Sequence, residues 1–122
     1  MLTELDIERR VPVWHVLSDC FLDTELQPED YSRIATTLRT SGFKRAELQS
    51  ILNEEVASAF AFNLIDIAGE WCPWSAEQVR EIMLESLRSP GGTAPLPWLK
   101  RRRFRRYLIN VWSKIEPLLE DR

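Results

Sequence analysis

The sequence predicts an all-α protein, a single compact domain of about five helices spanning residues 1–122. Three observations carry that expectation. Apolar residues recur at three- and four-residue spacing, in stretches separated by breaks bearing Pro and Gly. No segment alternates with period two between turn signals, and no Asn-Gly or Asp-Gly hairpin occurs. A chain of 122 residues, 44% of them hydrophobic, can bury one core without disulfide or metal staples.

The first helix is expected to open at Val11-Pro12-Val13, with Pro12 in the first turn, where a missing N–H costs nothing. Trp14, Leu17 and Phe21 form its apolar stripe, flanked by Val13 and Cys20, and residues 4–10 read as an arm or short preceding helix. Pro28 starts the second helix, which buries Ile34, Ala35, Leu38 and Tyr31, and Gly42 is its stop. The third begins near Lys44 and buries Leu48, Ile51, Leu52 and Val56. It continues into "ASAFAFNLIDIAGEW", where apolar residues on every side predict the central element, bent near Phe62-Asn63 and ended by Gly69.

The fourth helix has the cleanest start. Ser75 and Gln78 spell a capping box, and Trp74 with Val79 a hydrophobic staple. Val79, Ile82, Met83 and Leu87 are its expected buried stripe, and "SPGGTAPLP" is the loop that follows. The last helix runs from Pro97 to Leu119, with Phe104, Leu108, Val111, Ile115, Leu118 and Leu119 in one sector.

Composition excludes several classes. No apolar run reaches the roughly 20 residues of a bilayer span. Five Trp and five Phe argue against disorder. "MLTELDIERR" lacks the basic and apolar regions of a secretory signal, and two isolated cysteines make no disulfide framework, so a cytoplasmic protein is expected.

Charge is unevenly spread. Residues 1–99 hold 8 basic and 16 acidic side chains, whereas 100–106 hold six basic ones and no acid. Glu77, Glu81 and Glu85 make an i, i+4, i+8 acidic ridge on the fourth helix, with Arg80 and Arg88 close enough for intrahelical pairs. Asp19, Asp23, Glu25, Glu29 and Asp30 form a second acidic zone at the first interhelix turn. In the basic block, Arg102 and Arg106 point outward on the helical wheel, and Arg103 and Arg105 flank the apolar stripe. Cations at a helix N-terminus oppose the macrodipole, so an anion should lie near them. The chain's own acids are the first expectation, an acidic protein partner the second and nucleic acid the third, because a sequence pI of about 5.2 is far from that of a typical nucleic-acid module.

Chemistry-bearing constellations are few. His15 and Asp19, four residues apart on one helical face, could make an acid–base pair, but a boundary histidine is the expected role. His15, Asp19, Cys20 and Asp23 mix hard and soft ligands without metal-site spacing, so neither a metal nor another cofactor is expected. Trp71 and Trp74 bracket Cys72-Pro73. Packing is the expected role of both, with Trp71 also an aromatic candidate for partner binding.

"VPVWHVLSDCFLDTEL", followed by "AGEW", resembles a family of short uncharacterised bacterial all-α proteins with a Pro-Val-Trp helix start, a Leu-Ser-Asp-x-Phe-Leu-Asp-Thr-Glu-Leu run and a Gly-Glu-Trp turn. The resemblance covers roughly residues 10–85 and leaves the basic helix outside. It implies a bacterial source and a helical domain, with no established activity. On it Asp19, Asp23, Glu25, Glu70 and Trp71 are interaction candidates.

The functional expectation is a non-enzymatic protein-binding module, best an immunity or antitoxin protein that neutralises a cognate toxin by direct binding. The alternative is a nucleic-acid-binding or regulatory protein using Arg102, Arg103, Arg105 and Arg106.

Overall fold

The computed structural model describes residues 2–22, 25–60, 72–88 and 98–119. They form five helices: α1 (Glu4–Ser18), α2 (Pro28–Arg39), α3 (45–60), α4 (Ala76–Arg88) and α5 (Trp98–Leu119). No strand occurs among the described residues. The expected bend at Phe62-Asn63, the stop at Gly69, the 89–97 loop and the side chain of Phe104 lie outside them.

α1 starts a full two turns earlier than expected. Thr3 is its N-cap: Thr3 Oγ1 accepts from the Asp6 N–H at 3.1 Å, and Asp6 Oδ2 accepts from the Thr3 N–H at 3.0 Å. That capping box is a stronger start signal than the proline, which therefore sits inside the helix. Pro12 is exposed, so the carbonyl it cannot serve faces water, which softens the usual interior cost of about 3 kcal/mol.

The second half of α1 is the most enclosed part of the described chain. Apart from half-buried His15, every residue from Val13 through a 3₁₀ turn (Asp19–Phe21) to Leu22 is buried. Burial on all sides was expected of residues 57–71, of which only 57–60 are described. The described part of α3 keeps Asn53, Glu54 and Ser58 in solvent, so it covers α1 from one side. α4 and α2 flank α1, and α5 packs on α2.

α3 widens to a π-helix over Ile51–Val56, where the Ala57 N–H reaches back to the Leu52 carbonyl. Within that turn Glu55 faces α1 rather than water. The indole N–H of fully buried Trp14 donates to Glu55 Oε1 at 2.9 Å. Arg10 Nε lies 3.4 Å from the same oxygen, as an ion pair. The Glu55 carboxylate thus satisfies the buried Trp14 donor and is itself offset by the Arg10 charge, though Arg10 Nε makes no hydrogen bond.

α2 follows expectation. Pro28 is at its first position, Ile34, Ala35 and Leu38 are fully buried, and Gly42 adopts φ 87° just beyond its end. A Cβ at Gly42 would meet nothing within 4 Å, so the left-handed backbone alone calls for glycine. Arg39, in the last turn of α2, donates to the Leu118 carbonyl at 2.7 Å. It supplies the cation that the last turn of α5 lacks.

α4 keeps its capping box, with Ser75 N–H to Gln78 Oε1 at 2.9 Å and Gln78 N–H to Ser75 Oγ at 3.1 Å. Val79 and Met83 are fully buried and Ile82 half-buried, but Leu87 is 39% exposed. It lies at the end of the helix, a turn past the core contacts of Met83. In α5 the buried set is Leu108, Val111, Trp112 and Ile115, an i, i+3, i+4, i+7 stripe that adds Trp112 to three of the expected residues, while Leu118 and Leu119 are half-buried.

Removing the Glu55 carboxylate leaves the Trp14 N–H buried and unpaired. Glu55→Ala should cost about 1.5–3 kcal/mol, the range for a hydrogen bond to a charged group. Urea unfolding followed by tryptophan fluorescence checks it. A loss no larger than that of Glu54→Ala, at the exposed neighbouring position, would show that the bond contributes little.

Candidate interaction site

The sequence singled out three charged regions, and the structure treats them differently. Asp23, Glu70, Trp71 and the side chains of Arg102 and Arg103 lie outside the described residues.

Around the first interhelix turn, Asp19 proves to be a buried residue rather than part of an acidic surface, only 6% exposed. The 3₁₀ turn that closes α1 folds it inward, where its Oδ2 meets Arg33 Nη1 at 3.0 Å. Its Oδ1 has no hydrogen-bond partner. Burial raises the Asp19 pKa against the opposing pull of Arg33 and His15. Arg33 also reaches Asp30 Oδ1 at 3.5 Å, while Asp30 Oδ2 accepts from the Gln27 N–H at 2.8 Å and so holds the start of α2. Glu25 and Glu29 are exposed.

His15 does not reach toward a substrate cleft. Its Nε2 lies 2.9 Å from the Trp74 carbonyl, which can only accept, so Nε2 carries the proton. That bond ties α1 to the start of α4, and Trp74 packs against Phe60 of α3 with the rings tilted at 58° and their centroids 4.7 Å apart. His15 and Asp19 thus each hold two elements together, one through a carbonyl and one through a guanidinium. Cys20 is buried, with its thiol pushed up to about 12 by burial, and its carbonyl accepts the Tyr107 hydroxyl of α5. Burial likewise raises the Tyr107 phenol. Cys72 is exposed as a free thiol. Among the described residues no three His, Cys, Asp or Glu side chains are grouped as metal ligands.

On α4 the ridge is exposed at all three positions, Glu77, Glu81 and Glu85. Glu85 pairs with Arg88 at 3.5 Å. Arg80, however, turns away from the ridge and pairs with Glu4 at the start of α1, at 3.1 Å. Glu4 is available because α1 begins at that residue, a start the apolar pattern alone did not show. Glu77 and Glu81 are left without an ion pair among the described residues.

On α5, Arg105 and Arg106 are both exposed, and neither makes an ion pair among the described residues. Balance by the chain's own acids, the first expectation, is therefore absent at these two positions. Arg105, flanking the stripe, is exposed. Ile109, one turn on, is 63% exposed on the same face.

Residues 8–118 match the sequence family described as a domain of unknown function, DUF7079. The chain belongs to that family. The match runs through the basic start of α5, which the resemblance drawn from residues 10–85 had left outside. The family's description assigns no activity, in keeping with a resemblance to uncharacterised proteins. No curated protein and no solved structure matches the chain. No described helix is long and apolar enough to cross a membrane.

Asp19 supplies a pH signature. Its folded pKa is raised, so the folded state holds the proton more tightly than the unfolded chain does. The stability of the wild-type protein should therefore fall relative to Asp19→Asn as pH rises above the ordinary aspartate value of 3.8, and the difference should level off once the folded carboxyl has ionised. Thermal unfolding of both proteins between about pH 3.5 and 7 checks the sign, and a difference that moves the opposite way would show that Arg33 outweighs burial.

Proposed function

We propose that the chain is a non-enzymatic protein-binding module, best an immunity or antitoxin protein that binds a cognate bacterial toxin directly, with α4 as its acidic docking face. One observation carries the reading: Glu77 and Glu81 stand exposed and uncompensated because Arg80 is spent on Glu4. Uncompensated charge on a rigid, capped helix raises the rate of encounter with a basic surface. Toxin sites that handle nucleotides or anionic membranes are basic, which makes an acidic plug complementary to them.

The test uses the product of a neighbouring reading frame, co-expressed with this chain. A one-to-one complex is expected. Glu77→Lys with Glu81→Lys should slow association at low salt by about tenfold while changing dissociation little. Surface plasmon resonance separates the two rates. Association at the wild-type rate would remove α4 as the docking face, and the absence of any complex would remove the toxin reading.

Exposed, unpaired Arg105 and Arg106 favour a second reading, a nucleic-acid-binding or regulatory protein. It requires an affinity for duplex or single-stranded probes that falls steeply with salt in a log–log plot and is lost in Arg105→Glu with Arg106→Glu. Fluorescence anisotropy measures both. No binding at about 50 mM salt ends this reading, since phosphate contacts are strongest there.

A further inference from the structure

The two unpaired charged faces belong to one chain and have opposite sign. On α5, Arg105, Arg106 and Ile109 form an outward face, with the isoleucine 63% exposed between the two arginine rows. On α4, Glu77, Glu81 and Glu85 form a ridge beside half-buried Leu84 and Leu87, the latter 39% exposed. Leu87 and Ile109 are two of the three large hydrophobic side chains exposed among the described residues, the third being Leu5 on α1.

The two faces do not pair within the molecule. α4 packs mainly on α1 and α5 mainly on α2, with α3 touching both. Glu77 and Glu81 make no ion pair with Arg105 or Arg106 in the same copy. A second copy can bring them together, with each aliphatic side chain covered by its counterpart.

We propose that the Arg105–Arg106–Ile109 face of α5 docks on the α4 ridge of a second copy of this chain, head to tail. The contact is heterologous, since each copy presents one face of each kind. It therefore closes into a ring or extends as a chain of copies rather than stopping at a two-fold dimer. Both faces are helical and pre-formed, so little ordering is required on contact. The α4 ridge is also the face assigned above to a foreign partner, so such a partner would compete with self-association. The self-contact itself needs no partner, and its success or failure is read on this chain alone.

Charge swapping tests the proposal on the full chain by sedimentation velocity. The wild-type protein should associate at low salt, with apparent affinity falling about tenfold between about 50 and 500 mM NaCl as the ion pairs are screened. Arg105→Glu with Arg106→Glu makes both faces acidic, and Glu77→Arg with Glu81→Arg makes both basic. Each double variant should be monomeric alone, and an equimolar mixture of the two should associate again, because α5 of the first then faces α4 of the second. Ile109→Asp should weaken wild-type association while leaving the circular dichroism spectrum unchanged, since the side chain is exposed. A wild-type protein that stays monomeric at high concentration and low salt overturns the proposal. So does an acidic variant that associates like the wild type, or a mixture that stays monomeric.

Discussion

The indole N–H of Trp14 is the constraint on which the rest of the arrangement turns. Trp14 is fully buried, so its one donor must find an acceptor inside the protein. The acceptor is Glu55, a carboxylate that would itself be costly to hold against the core without a donor and a cation. Meeting both needs brings the π-helical turn of α3 against α1 and settles how α3 lies on it. With that side of α1 closed, α4 and α2 occupy its remaining flanks, held by His15 to the Trp74 carbonyl and by Asp19 to Arg33. α1 is thus joined to each neighbour by polar bonds set among apolar contacts, two on the α3 side, two on the α4 side and one to Arg33 of α2.

That use of polar groups explains what is left on the surface. Charges near α1 are consumed in joining elements: Arg10 by Glu55, Arg33 by Asp19 and Asp30, Arg80 by Glu4, and Arg39 by the last turn of α5. Arg45 lies 3.6 Å from Glu116 in the same way. What these bonds do not absorb includes Glu77 and Glu81 on α4 and Arg105 and Arg106 on α5. Glu77 and Glu81 are unpaired because Arg80 is taken by Glu4.

The helices themselves were legible because amphipathic periodicity and capping are local. The starts at Pro28, Lys44 and Ser75 and the stop at Gly42 follow from residues within a turn of each boundary, and the apolar stripes of α2 and α5 follow from spacing. The early start of α1 was legible too, in Thr3 and Asp6, but the proline eight residues later offered a competing signal. Glu55 was hidden for a different reason. It stands four residues after Ile51 and four before Ala59, both buried, yet a glutamate between two apolar residues reads as a boundary charge unless its donor is known. That donor is 41 residues away.

The sequence by itself determined the fold class, the number of helices, most of the core residues and the presence of two strongly charged helical faces, since each depends on neighbours within a few turns. The tertiary structure alone decided that Asp19 is buried, that the second half of α1 is enclosed, and that Arg80 serves Glu4 instead of the α4 ridge. Those outcomes depend on pairs distant in the chain, where a charge is either neutralised or left exposed according to which helix happens to pack beside it. The same choice of neighbours left Glu77 and Glu81 of α4 and Arg105 and Arg106 of α5 without ion pairs among the described residues.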